Sequence, residues 1–136
     1  MPVVVTAADG PLGRAVVTAL RARGVEVRAV VPAPEGRAAL AGLGARTAVC
    51  DLDDGVRLGA VLGGAHTLVH LDRPASTADL VLDAAEGTSL RRVVAVARGP
   101  VPAYGPLELV VVPGDLGEAD AGVVAAVVAA DARRSP

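Results

Sequence analysis

The stretch Thr6-Ala7-Ala8-Asp9-Gly10-Pro11-Leu12-Gly13 is where residue type and spacing could do chemistry. The β-branched run Val3 to Thr6 leads into it and Pro11 opens a helix behind it, so it reads as a strand-to-helix turn. The first amides of such a helix have no intrahelical acceptor and sit at the positive end of its dipole, which suits a diphosphate. Glycine belongs where backbone must approach phosphate and where helix must pack on strand, and Gly10 and Gly13 occupy those two places. The candidate contacts are therefore Thr6, Ala8, Gly10, Pro11, Leu12 and Gly13, with Arg14 directly behind them. The same glycines would also serve a tight turn and close packing that hold no ligand.

Other reactive side chains carry weaker arguments. His66 and His70 have even spacing on one strand and could share a face, yet two histidines without a third ligand seldom hold a metal, so a core or edge role is expected. Asp51, Asp53 and Asp54 are better explained as caps and a solvated turn than as a magnesium site. Cys50 precedes these acids, which raise a thiol pKa, so it should be unreactive; as the sole cysteine it forms no intrachain disulfide. All 13 basic residues are arginine, which leaves no lysine for a Schiff base or a proton relay.

The elements that position the turn follow from hydrophobic period and breakers. Behind Pro11, the residues Leu12, Val16, Ala19 and Leu20 share a helix face, and Gly24 stops the helix. Val25 to Val31 reads as a second strand, Pro34 to Leu43 as a short helix and Ala45 to Cys50 as a third strand. Asp54 caps a helix carrying Val56, Leu58, Val61 and Leu62 that ends at Gly63-Gly64. His66 to Leu71 is strand four, and Ser76 with Asp79 makes a capping-box pattern for a helix through Ala85. Arg91 to Ala97 and Leu107 to Val112 are strands five and six, and Ala119 to Ala130 is a last, apolar helix. This alternation predicts an α/β chain: one domain over 1–136, with a doubly wound, mostly parallel Rossmann-like sheet of about six strands and helices on both faces.

Composition narrows the partners. The chain is 52% hydrophobic but has a single tyrosine and no Phe or Trp, so platforms for stacking single-stranded nucleic acid are missing and no nucleic-acid partner is expected. No apolar run approaches the length of a membrane span, and the opening Met1-Pro2 lacks a basic, export-type start, which points to a cytoplasmic protein with no membrane partner.

In order and spacing, these pieces resemble the short-chain dehydrogenase/reductase superfamily in its extended or atypical, NmrA-like branch. The turn is similar to that family's T-G-x-x-G-x-x-G, with Ala7 at the first glycine, a replacement that costs about 1–2 kcal/mol if residue 7 takes positive φ. The likeness continues through Gly13-Arg14-Ala15-Val16-Val17, Val25 to Val31, Cys50-Asp51-Leu52-Asp53-Asp54, Val69-His70-Leu71 and Leu82-Asp83-Ala84-Ala85, and reaches Arg91-Arg92-Val93-Val94. It implies a bound NAD or NADP, with Asp51 and Leu52 near the adenine. Where the family reads the ribose, this chain has Pro32, then Glu35 and Arg37. Glu35 favours NAD, Arg14 and Arg37 favour NADP, and the balance leans to NADP. Asp72 would repel a diphosphate.

The resemblance also implies a catalytic Ser or Thr after strand five and a Tyr-x-x-x-Lys on the next helix. The chain departs at each: Ala97 or Arg98 stands at the hydroxyl, Tyr104-Gly105 resembles a loop, and lysine is absent. Gly99 to Pro106 is shorter than the ten to twelve or so residues of a helical crossover. An internal deletion of the catalytic helix is expected, with loss of a C-terminal substrate region. Leu107 to Gly117 resembles the family's strand six and the loop beyond, with Val112 at an arginine position, and must either follow a stretched connection or turn back antiparallel. Three functions are compatible. One is a non-catalytic NAD(P)-binding redox sensor, regulator or accessory subunit. Another is a ligand-free interaction protein, pairing with itself or a protein partner through the surface bared by the missing helix. The third is an oxidoreductase whose site a partner chain completes, or in which Tyr104 acts alone.

Overall fold

A computed structural model of the chain describes residues 1–133. Its strands are β1 (Val3–Val5), β2 (Val27–Val31), β3 (Arg46–Val49), β4 (Thr67–His70), β5 (Arg92–Ala97) and β6 (Glu108–Pro113). Its α-helices are α1 (Pro11–Ala22), α2 (Arg37–Gly42), α3 (Gly55–Leu62), α4 (Ala78–Ala85) and α5 (Ala121–Ala132). The sheet order is β3-β2-β1-β4-β5-β6, and every neighbouring pair is parallel. Chain direction across the sheet reverses between β1 and β4, so the carboxyl ends of those two strands frame a switch point, where open α/β sheets bind ligands.

Strand residues alternate between two cores, as a sheet buried on both faces requires. Val3 and Val5 face Leu12, Val16, Val17 and Leu20 of α1, Leu40 of α2 and Val127 of α5. Val4 faces the opposite way, with Leu58 and Leu62 of α3 and Val81 of α4. Arg92 is buried at the start of β5, where it pairs with the Glu108 carboxylate and donates at 3.1 Å to the Ala130 and Asp131 carbonyls, tying α5 to the sheet. That satisfies a charge which burial would otherwise penalise heavily. Among the described residues no helix is long and apolar enough to cross a membrane.

Strand six is parallel, paired with β5 from Arg92↔Glu108 to Ala97↔Pro113. Returning along a six-residue strand takes about 20 Å. Residues 98–107 can span about 33 Å when extended, so no helix is needed for the return. The predicted bared face is largely covered: Tyr104 is buried there, with Val101 and Leu107 packed on the same core. Val111 remains 40% exposed.

Smaller differences have local causes. The helix predicted from Pro34 begins as a 3-10 turn, Pro34–Gly36, and α2 follows it. The Ser76/Asp79 capping box does not form: Thr77 is the N-cap, its hydroxyl is engaged elsewhere, and the Ser76 hydroxyl donates back to the Arg73 carbonyl. The last helix starts at Ala121 because Asp120 caps it by accepting from the Val123 amide at 3.0 Å. Asp54 caps α3 as expected.

Candidate functional site

The β1–α1 turn is held from three sides. The Thr6 amide donates to the Val69 carbonyl and the Ala8 amide to the Val30 carbonyl, which ties the turn to both neighbouring strands. Ala7 takes φ 49°, the left-handed backbone expected of the residue at the first glycine position. A Cβ on Gly13 would lie 2.5 Å from the Ala7 carbonyl oxygen and 2.6 Å from the Ala8 Cα, so only glycine lets α1 approach this closely. The Gly10 amide returns to the Ala7 carbonyl at 3.3 Å. Pro11 has no amide proton, and the amides of Leu12 and Gly13 meet no backbone acceptor among the described residues. Those two donors are what the turn offers an anion.

Beside the turn lies a cavity of about 150 Å³ lined by Ala7, Val30, Cys50, Asp51, Leu52 and Asp72, among others. Asp51 and Leu52 are thus brought to the turn. Arg14 and Arg37 lie on the surface and do not line this cavity. The 3-10 turn preceding Arg37 packs on the loop, however, since a Cβ on Gly36 would come within 3.1 Å of the Asp9 Cβ. Thr6 is fully buried, and its hydroxyl enters a hydrogen-bonded chain.

Sequence reasoning does not single out that chain. The Leu71 amide donates to Thr6 Oγ1 at 2.9 Å, and Thr6 Oγ1 lies 2.8 Å from His70 Nδ1. His70 Nε2 lies 2.6 Å from Thr77 Oγ1, which donates to the Asp72 and Arg73 carbonyls, each at 3.0 Å. With Thr77 donating to carbonyls, it accepts from Nε2–H, so Nδ1 accepts from Thr6 and the imidazole is neutral. Burial pushes the His70 pKa down to about 4. The relay joins β1, β4 and the start of α4 under the switch point. A buried His between two threonines 71 residues apart in sequence carries no local signal.

Arg73 is a second residue the sequence does not mark. It has φ 51°, it pairs with Asp72 at 2.7 Å, and it lines both the cavity beside the turn and a larger one. The repulsion expected from Asp72 is therefore offset by an adjacent guanidinium. The larger cavity, about 470 Å³, lies beyond the ends of β5 and β6 and is lined by Ser76, Val96, Ala97, Arg98, Gly114 and Asp115 among others.

The remaining candidates resolve separately. Tyr104 donates its hydroxyl to the Pro74 carbonyl at 2.7 Å and stands edge-on to His70 with ring centroids 6.2 Å apart. Burial pushes its pKa up to about 12. His66 precedes β4 and lies near Thr67 Oγ1, at the end of the strand opposite His70, and no group of three metal-ligating side chains forms among the described residues. The Cys50 thiol pKa is raised, first by burial and then by Asp54; the acids singled out in the sequence are the lesser cause.

No family model matches the sequence, and no curated protein matches it. Solved structures do match. A triphenylmethane reductase from Citrobacter sp., complexed with NADP(H), superposes with TM-score 0.62 at 22% identity over 71% of this chain and 37% of its own. An NADPH-dependent quinone oxidoreductase from Escherichia coli gives 0.60 at 24% over 70% and 34%. A UDP-glucose-4-epimerase from Stenotrophomonas maltophila with bound NAD gives 0.61 at 18% over 71% and 37%. The fold is the doubly wound, parallel α/β Rossmann fold that these three proteins share. This Rossmann chain spans little more than a third of the length of those three proteins.

Proposed function

We propose that this chain binds a nicotinamide dinucleotide at its β1–α1 turn and catalyses nothing on its own, serving as a redox sensor, regulator or accessory subunit. The observation that carries the reading is the pair of acceptor-free amides at Leu12 and Gly13. They sit in a turn that keeps Ala7 left-handed and Gly13 against backbone. Gly10 supports it, since its φ of −74° and a nearest neighbour 3.6 Å from a built Cβ give the fold itself no need for glycine there. A bare position at that point leaves the approach to the amides open. The adenine then lies against Asp51 and Leu52, and the nicotinamide end extends toward Ala97 and Arg98. Arg14 and Arg37 favour NADP over NAD.

The catalytic side is argued from what lines the larger cavity, a methyl group and guanidinium groups where the family resemblance implies a hydroxyl and a lysine. Tyr104 cannot stand in, because its hydroxyl is committed to Pro74 and its pKa is far above neutral. Calorimetric titration with NAD, NADH, NADP and NADPH tests the proposal. Saturable binding, tighter for the phosphorylated forms and without hydride transfer to added carbonyls or quinones, is expected; no heat with any of the four at millimolar concentration overturns it.

A second reading, self-association or a protein partner at the β6 side, rests on exposed Val111 and on β6 being an edge strand. Native mass spectrometry checks it, and a clean monomer at high concentration counts against it.

A further inference from the structure

We propose that a separate anion site lies at the β2–β3 margin of the sheet and takes a small phosphate-bearing molecule with two or more negative charges. A cavity of about 400 Å³ there is lined by Arg28, Arg46 and Arg57 together with Thr47, Ala60 and Val61. Arg28 and Arg46 are direct partners in the parallel register of β2 and β3, so their side chains leave the sheet on one face. Like charges so placed repel. Arg57 of α3 adds a third, and no carboxylate lies within 4.0 Å of any of them among the described residues. The chain has 15 acidic residues against 13 basic ones, so the unrelieved cluster does not come from a shortage of acids.

Two of the guanidinium groups are already aimed. Arg28 Nη1 donates to the Val61 and Gly63 carbonyls at 2.6 and 2.5 Å, and Arg57 Nε donates to the Val49 carbonyl at 2.5 Å. These bonds hold the side chains while leaving their other N–H groups, and all of those on Arg46, without a protein acceptor among the described residues. Pre-positioned guanidinium forks match phosphate oxygens in pairs. Ala48, on the same face of β3 as Arg46, gives with Ala60 and Val61 of α3 a wall for the carbon part of the ligand. Arg28 and Arg46 stand near the beginnings of their strands, the end remote from the β1–α1 turn, so this site is independent of the dinucleotide proposal.

Calorimetry with inorganic pyrophosphate at low salt tests it on the wild type, R46Q/R57Q, R46Q and R23Q. The wild type should bind saturably, R46Q/R57Q at least about tenfold more weakly with an unchanged melting temperature, and R23Q, at an exposed arginine outside both proposed sites, as the wild type does. R46Q alone, at an exposed side chain without a hydrogen bond among the described residues, should weaken binding in the same direction and keeps the test valid if the double variant unfolds. The site is overturned if the wild type shows no saturation up to about 10 mM. It is also overturned if the wild-type affinity survives in R46Q/R57Q, which would put the pyrophosphate elsewhere, on the amides of the β1–α1 turn.

Discussion

The link from β1 to β2 and the link from β5 to β6 perform the same task, laying down a second parallel strand, by opposite means. The first uses a twelve-residue helix locked onto the sheet by Gly13, at the cost of a left-handed Ala7. The second uses residues 98–107, which contain three prolines and no helix, and covers the sheet with Tyr104. A parallel crossover therefore needs enough reach and something to cover the face; the helix is one way of supplying both. The functional consequence differs in kind. The first link presents backbone donors, whereas the second fills the space over β5 with the buried Tyr104 ring and places no helix there.

The largest break should come at the first link. Gly13→Ala forces a Cβ into backbone atoms that no rotamer change can move aside. The expected penalty exceeds the roughly 5 kcal/mol of stability that a marginal domain has, so the cooperative urea transition should disappear. Tyr104→Ala breaks the second link by removing the cover over β5, at an expected cost of about 3–5 kcal/mol in the same measurement. A cost below about 1 kcal/mol would show that the loop covers nothing and would end the comparison.

The relay under the switch point joins the two halves, and pH reads it. His70 has a folded pKa near 4 against an ordinary 6.5, so between these values the unfolded chain binds the proton and the folded chain does not. Its contribution is complete above about pH 6.5 and falls by about 3 kcal/mol as the pH drops to about 4. The slope of stability against pH in that window should flatten in His70→Gln.

Two gentler substitutions sharpen the contrast. Tyr104→Phe keeps the cover and loses the bond to Pro74, for about 1 kcal/mol. Ala7→Gly relieves the left-handed strain but adds freedom to the unfolded chain, and should raise stability by about 0.5–1 kcal/mol.

What the sequence determined by itself was local. Element order follows from apolar period. The stop at Gly24 follows from its positive φ, the start of α3 from the Asp54 cap, and the strain at residue 7 from alanine standing in a glycine's place. Asp51 and Leu52 were legible only through the family resemblance, which implies an Asp-Leu pair after strand three near the adenine; in the fold they follow β3 and line the cavity beside the turn. Tertiary structure decided the rest, wherever an outcome depends on groups distant in the chain. A ten-residue link permits either direction for β6, and the choice rests on where Tyr104 and the β5 register find their contacts. Ser76 reads as a cap, but Thr77 takes the position because its hydroxyl meets His70. Arg28, Arg46 and Arg57 become one cluster only through strand register and the path of α3, since charge alone carries no information about which side chains will share a face.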